Sequence, residues 1–149
     1  MKEFITQQIV KSQKELVALS NFLRLNQLPA DDLSLTDSLY LTYYDSSEEL
    51  VGSGGLEFYG DKALLRSLAV SQAIRSQSLG KQIMEDLLQQ VRIKDIMEIY
   101  LLTQTALYFF LKLGFKEINR EEVPDEIRQS TEFSQVCPSS ARVMRLVLQ

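Results

Sequence analysis

The 149-residue sequence contains no histidine and a single cysteine, Cys137. Without histidine there are no His-based triads, no imidazole metal ligands and no imidazole acid–base catalysis. One cysteine cannot close an internal disulfide, so nothing in the chain requires an oxidising compartment. Basic charge is also short: sixteen Lys and Arg stand against twenty Asp and Glu, a net charge of −4. A general nucleic-acid or anionic-membrane binder would show a basic field, and neither partner is expected. No apolar run nears the ~18 residues of a membrane span. The N-terminus, MKEFITQQIV, is too short and polar for a signal-peptide core. A cytoplasmic protein that uses no metal is the expectation.

What is present is ordinary globular material, 45% hydrophobic and 24% charged, enough for one domain over residues 1–149. Residues 4–10 suit a short strand, and Ser12-Gln13-Lys14-Glu15 then fits a capping box. Leu16, Leu19, Phe22 and Leu23 follow at helical spacing, with Pro29 ending the helix or its exit loop. Alternation over 38–44, a second run from about Leu50, and a third over 63–70 predict three consecutive antiparallel strands. Leu79, Ile83, Leu87 and Val91 mark an amphipathic helix over 78–92. Ile99–Leu102 reads as a short buried strand, and TALYFFLKL as a helix stopped by Gly114. A strand over Phe115–Ile118, a short helix from Pro124 through Ile127, and a final strand over 141–148 complete the chain. This order is α+β with a mixed sheet, not a doubly wound nucleotide fold.

The chemistry concentrates in LLRSLAVSQAIRSQSLGKQIMEDLL, residues 64–88, where a strand runs into a loop that opens a helix. A helix start presents unpaired N–H groups and a positive dipole end, which suits a phosphate. Arg75 and Lys81 supply charge there, and the small residues let the backbone approach. The competing reading is an unremarkable polar loop capped by Ser78.

The stretch Arg75-Ser76-Gln77-Ser78-Leu79-Gly80 resembles the Q/R-x-x-G-x-G/A signature of the GCN5-related N-acetyltransferases, with Ser78 at the middle glycine. A serine there costs ~1 kcal/mol if the backbone needs a positive φ. SLAV before the loop resembles the family's cofactor strand, and ALYFFLKLGF its later A-x-x-F-Y-x-K-x-G-F helix. GGLE, ALLRSLAV, LLTQTALYFF and EFSQVCPSSARVM are similar to the branch found in arsenic-resistance operons.

The resemblance implies the family's mixed-sheet fold, acetyl-CoA as co-substrate and a small-molecule amine as acceptor. It implies that the backbone of Arg75, Ser76, Gln77, Ser78, Leu79, Gly80 and Lys81 meets the pyrophosphate. The pantetheine arm would run beside Leu68, Ala69 and Val70, with the Val70 N–H polarising the thioester oxygen. Thr103 and Phe110 fall where many members carry an Asn and the Tyr that protonates the departing thiolate; Phe110 has no proton to give. Tyr108 lies two residues away, a rotation of roughly 200° along a helix. A homodimer stays open as its assembly.

A neutral amine is needed for attack, so a carboxylate must collect a proton. Glu57, after GSGGL on the neighbouring strand, is the first candidate for the base, and Glu132 the second. Arg66 interrupts an apolar strand and must pair, with Glu57, another carboxylate or a substrate. If Arg66 holds a carboxylate or arsonate while Glu57 and Glu132 attend the ammonium, the acceptor is amino-acid-like or arsenical. Cys137 has no histidine to activate it and reads as packing or pocket lining. Tyr40, Tyr43, Tyr44 and Tyr59 are core or pocket residues. The rival class is a member of this fold that binds acyl-CoA without turnover, a sensor or interaction module.

Overall fold

The computed structural model describes residues 4–133 and 140–148, and at 75–77 the backbone alone. Its elements are β1 (Thr6–Ile9), α1 (Gln13–Leu25), β2 (Ser38–Tyr44), β3 (Leu50–Tyr59) and β4 (Lys62–Val70), then α2 (Leu79–Ile93). They continue with β5 (Glu98–Thr103), α3 (Leu107–Lys112), β6 (Lys116–Ile118), α4 (Asp125–Arg128) and β7 (Arg142–Val147). A 3₁₀ turn at Gln72–Gln77 joins β4 to α2. The seven strands form one sheet in the order β1-β2-β3-β4-β5-β7-β6. Every neighbouring pair is antiparallel except β4 with β5. The α+β mixed sheet expected from the sequence is present, with strand ends shifted by a residue or two.

The local signals act through identifiable bonds. Ser12 Oγ accepts the Glu15 N–H at 3.1 Å, while the Glu15 carboxylate accepts from Lys11 N at 2.9 Å, one residue ahead of the usual box. At the end of α3, Gly114 takes φ +99°, and Phe115 N–H returns to Phe110 O at 3.1 Å. That left-handed turn is the reason a glycine stops this helix.

One face of the sheet packs on α2 and α3, burying Leu41, Leu56, Leu65, Ile83, Leu87 and Leu101 among others. Gly54 makes that contact close: a Cβ there would stand 2.7 Å from Ile83 Cγ2 and 2.8 Å from Leu87 Cδ1. On the other face α1 buries Leu16, Leu19, Phe22 and Leu23 beside Tyr40. A separate cluster around Leu64, Tyr100, Ile127 and Phe133 fills the same face near α4. Among the described residues no helix is long and apolar enough to cross a membrane.

Candidate active site

The site begins with an irregularity in β4. The β3–β4 register passes from Gly55↔Arg66 to Ser53↔Ala69, so Ser67 and Leu68 together oppose Gly54. The extra residue is accommodated by Ser67 at φ +60°. Its carbonyl accepts from Ser53 Oγ at 2.8 Å, and its own hydroxyl accepts from Arg66 Nε at 3.1 Å. Bulges of this kind bend a strand and end its pairing. Here β4 stays paired with β5 only from Lys62↔Glu98 to Leu65↔Leu101. Beyond that the strands part, while β5 remains tied to β7 as far as Thr103↔Arg142.

A cleft of about 850 Å³ occupies the opening, bounded by Leu68 and Ser71 on one side and Thr103 and Phe110 on the other. Thr103 Oγ1 accepts the Ala106 N–H at 3.0 Å, fixing the turn before α3. Phe110 packs edge-on against Phe109 and Phe115, with centroids 5.2 and 5.5 Å away. Tyr108 is 77% exposed and turned out of the core, as the helical rotation requires.

The loop after β4 delivers a helix start to the same end of the sheet. Ser78 takes φ +63°, the left-handed conformation that glycine adopts without penalty. Its side chain makes no capping bond, so the polar-loop reading in which Ser78 caps α2 is corrected. Gly80 faces the Phe109 ring at 3.6 Å and Val70 Cγ2 at 3.8 Å, measured from where a Cβ would sit. Lys81 is exposed, whereas Leu79 is buried in the core and offers the loop only its backbone. Arg75, Ser76 and Gln77 form the last half of the 3₁₀ turn. In β4, Ala69 packs toward α1 and Val70 toward α2 and α3. Ser71 N–H bonds Val51 O at 2.8 Å, so alternation turns the Val70 N–H to the β5 side of the strand. Leu68 borders the cleft; Val70 does not.

The charged residues gather on the α1 face. Arg66 has no exposed side-chain surface and meets three carboxylates. Asp32 takes Nη1 at 2.5 Å and Nη2 at 2.7 Å, Glu57 shares Nη1 at 2.7 Å, and Glu132 lies 3.5 Å from Nε. Burial alone would lower the guanidinium's pKa, but the Asp32 bonds and the Glu132 charge overcome it and raise it. The second Glu57 oxygen accepts from Tyr59 Oη at 2.7 Å. Burial first, then that bond, raises the Tyr59 pKa.

Two expectations change on this geometry. Glu57 has both oxygens engaged and does not border the cleft, whereas Glu132 does, with only 4% of its surface exposed. Burial pushes the Glu132 carboxyl up to about 7; Arg66 opposes this, and Glu57 and Asp32 add to it. Arg66 also keeps no open edge for a substrate anion, because its fork is already held by Asp32 and Glu57.

Asp32 is the Arg66 partner that sequence reasoning missed. It follows Pro29-Ala30-Asp31 in an unremarkable acidic loop, and its partner is 34 positions away. Tyr40 and Tyr43 are buried, with burial raising the Tyr40 pKa to about 12. None of Tyr40, Tyr43, Tyr44 and Tyr59 borders the cleft. Cys137 lies outside the described residues.

Comparison with known proteins agrees with this architecture. Residues 36–117 match the family described as an acetyltransferase (GNAT) domain. An uncharacterized N-acetyltransferase of Chlorobaculum tepidum is 31% identical over 84 residues, 56% of this chain and 54% of that protein. The matched region therefore spans about half the length of that curated relative. A GNAT-family acetyltransferase from Staphylococcus aureus Mu50 superposes with a TM-score of 0.73 at 18% identity, over 97% of this chain and 100% of its own. Rv2747 from Mycobacterium tuberculosis, solved in complex with CoA, gives 0.75 at 21% identity over 95% and 99%. At these identities the structural likeness is one of fold.

Proposed function

The chain belongs to the GNAT acetyltransferase family, and on that premise we propose that it moves an acetyl group from acetyl-CoA to a small-molecule amine within a ternary complex. The observation that supports this reading is Glu132, a buried carboxyl at the edge of the cleft where β4 and β5 separate, pushed up to about 7 by that burial. A base poised near the working pH collects a proton effectively and still exists in its accepting form. The amine nitrogen bonds the thioester carbon, the C–S bond breaks, and Glu132 takes the ammonium proton directly or through a water. The CoA thiolate leaves and is protonated from solvent, since Phe110 has no proton and Tyr108 points away.

The co-substrate fits the residues that surround the opening. The uncapped start of α2 and the 75–81 backbone suit a pyrophosphate, with Arg75 and Lys81 for charge. Leu68–Val70 would border the pantetheine arm, with the Val70 N–H toward the thioester oxygen. Leu79 and Gly80 serve through backbone alone, and Thr103 and Phe110 close the far side.

On the α1 side the cleft is lined by Phe22, Leu25, Leu28, Pro29 and Leu50, with the amides of Asn26 and Gln27 among them. That composition suits an amine whose apolar body also carries a hydrogen-bonding group. The amino-acid-like or arsenical acceptor loses its proposed partner, because Arg66 is taken. The narrower likeness to the arsenic-operon branch rests on short strings alone.

Release of CoA thiol from acetyl-CoA across a broad amine panel tests the reading. Amine-dependent release, absent with acetyl-CoA alone, is the expected result. Acetyl-CoA binding without release on any amine would instead favour the sensor class.

A further inference from the structure

The three carboxylates around Arg66 hold it unequally. Asp32 grips both terminal nitrogens, at 2.5 and 2.7 Å, and Glu57 shares one of them at 2.7 Å. Glu132 is left 3.5 Å from Nε, a donor already given to Ser67 Oγ at 3.1 Å. The Nη1–Nη2 edge is held by Asp32 and the Nε–H by Ser67 Oγ, so Arg66 can turn a fork to Glu132 only by giving up one of these bonds. We infer that Asp32 is a positioning residue: from the loop between α1 and β2 it holds Arg66 off Glu132, which therefore remains a proton acceptor instead of half of a closed ion pair. The assignment deepens the reading of Glu132 as the base and rests on it for its catalytic meaning.

The surroundings make the distinction matter. Arg66 has no exposed side-chain surface and Glu132 only 5%, so water does little to screen either. Among the described residues, the charged groups facing Glu132 are Arg66 from β4, Glu57 from β3 and Asp32 from the loop. The Tyr59 hydroxyl backs Glu57, Tyr40 of β2 adjoins Arg66, and Arg120 stands over the neighbouring Phe133 ring at 5.2 Å. Neutralising Asp32 acts twice in one direction. A negative neighbour of Glu132 disappears, and Arg66 becomes able to turn its fork toward Glu132. Both changes favour the ionised carboxylate. Loss of the charge alone would also lower the midpoint, so the Arg66 step is read as the extra fall that Asp32→Asn causes with Arg66 present and not in an Arg66→Met background.

The test is a carboxyl ¹³C NMR titration of Glu132 in wild type, Asp32→Asn and Asp32→Glu, with the resonance identified by its loss in Glu132→Gln. Asp32→Asn is expected to lower the Glu132 midpoint by about one pH unit or more, a tenfold change in its ionisation constant. Asp32→Glu, which restores the charge, is expected to return it most of the way. If Asp32→Asn does not fold, Asp32→Ser, also uncharged, is read in its place with the same expectation. A midpoint that stays put or rises in the uncharged variant, or that falls equally in the Arg66→Met background, overturns the assignment. The base reading fails separately: if the midpoint falls but the acid limb of kcat/KM does not follow, Asp32 still positions Arg66 and Glu132 is not the base.

Discussion

Glu132 stands 3.5 Å from the Nε of Arg66, near enough to feel its charge and too far for a strong bond. That spacing explains how burial can hold the carboxyl up to about 7 beside a permanent cation. The active form is the carboxylate, so kcat/KM should rise with pH through an acid limb near that value. Glu132→Gln should lower kcat/KM by about 10² or more, the low end for general acid–base catalysis. Glu57→Gln should cost less directly, because Glu57 is engaged with Arg66 and Tyr59. Steady-state pH profiles of the three proteins check this. A rate loss confined to Glu57→Gln would return the base to β3.

The acceptor prediction reverses what Arg66 suggested in isolation. One guanidinium faces the three carboxylates Asp32, Glu57 and Glu132, so the cluster behind the Glu132 edge of the cleft carries net negative charge. An ammonium is drawn to such a site, while a carboxylate must be buried there without a partner. Decarboxylated amines such as phenethylamine should therefore react with kcat/KM at least about tenfold above the matching amino acids, a modest estimate for one unpaired charge. Matched pairs in the thiol-release assay measure the ratio. Amino acids that react equally well would reinstate an anion site.

Tyr108→Phe should leave turnover within a few-fold of wild type. The side chain is 77% exposed, and the ring facing the cleft from this helix is Phe110. A loss of about 10² or more in kcat would place the missing acid at Tyr108 after all.

The sequence carried the local elements well because their signals are local. Ser12 with Glu15, the four-residue spacing from Leu79 to Val91, and Gly114 each act within a turn or two. The signature loop was legible for the same reason, and the serine at its glycine position does take the positive φ that makes glycine favourable. The charged site was not legible at that level. Whether Arg66 met Glu57, a substrate or something else depended on the bulge at Ser67 and on a loop 34 residues earlier. Nothing in the run Pro29–Asp32 distinguishes Asp32 from its exposed neighbour Asp31. Glu57 outranked Glu132 because it follows GSGGL on the strand beside the cofactor strand. Sequence places the strand, and only packing shows that Tyr59 and Arg66 had already claimed the carboxylate.

The signature loop gives a paired prediction. Ser78→Gly relieves a left-handed serine and should stabilise the fold by about 1 kcal/mol. It should leave acetyl-CoA affinity equal or improved. Gly80→Val should do the opposite at the cofactor: a Cβ is tolerated 3.6 Å from the Phe109 ring, but the added methyls must project further. Calorimetric titration of acetyl-CoA, with folding checked by thermal melts, separates the two. Unchanged affinity in a folded Gly80→Val protein would remove the pyrophosphate from this loop.

Glu132 also makes a stability prediction that needs no activity. Its carboxyl is raised from an ordinary 4.5 to about 7 in the folded chain, so between those values the native state holds a proton that the unfolded chain has lost. Stability attributable to this group is therefore greatest at low pH and falls as pH rises through that window. Above it, the native state bears the full cost of a buried charge, roughly 3–4 kcal/mol from the size of the shift. Glutamine resembles the protonated acid, so Glu132→Gln should match wild type near about pH 4.5 and exceed it by up to that amount near about pH 8. Comparing the two proteins at the same pH cancels the other carboxylates. Urea unfolding at both ends of the range gives the difference directly. A variant less stable than wild type at the higher pH would mean that the Arg66 interaction outweighs the burial of Glu132, and the carboxyl would then be an ordinary ionised partner.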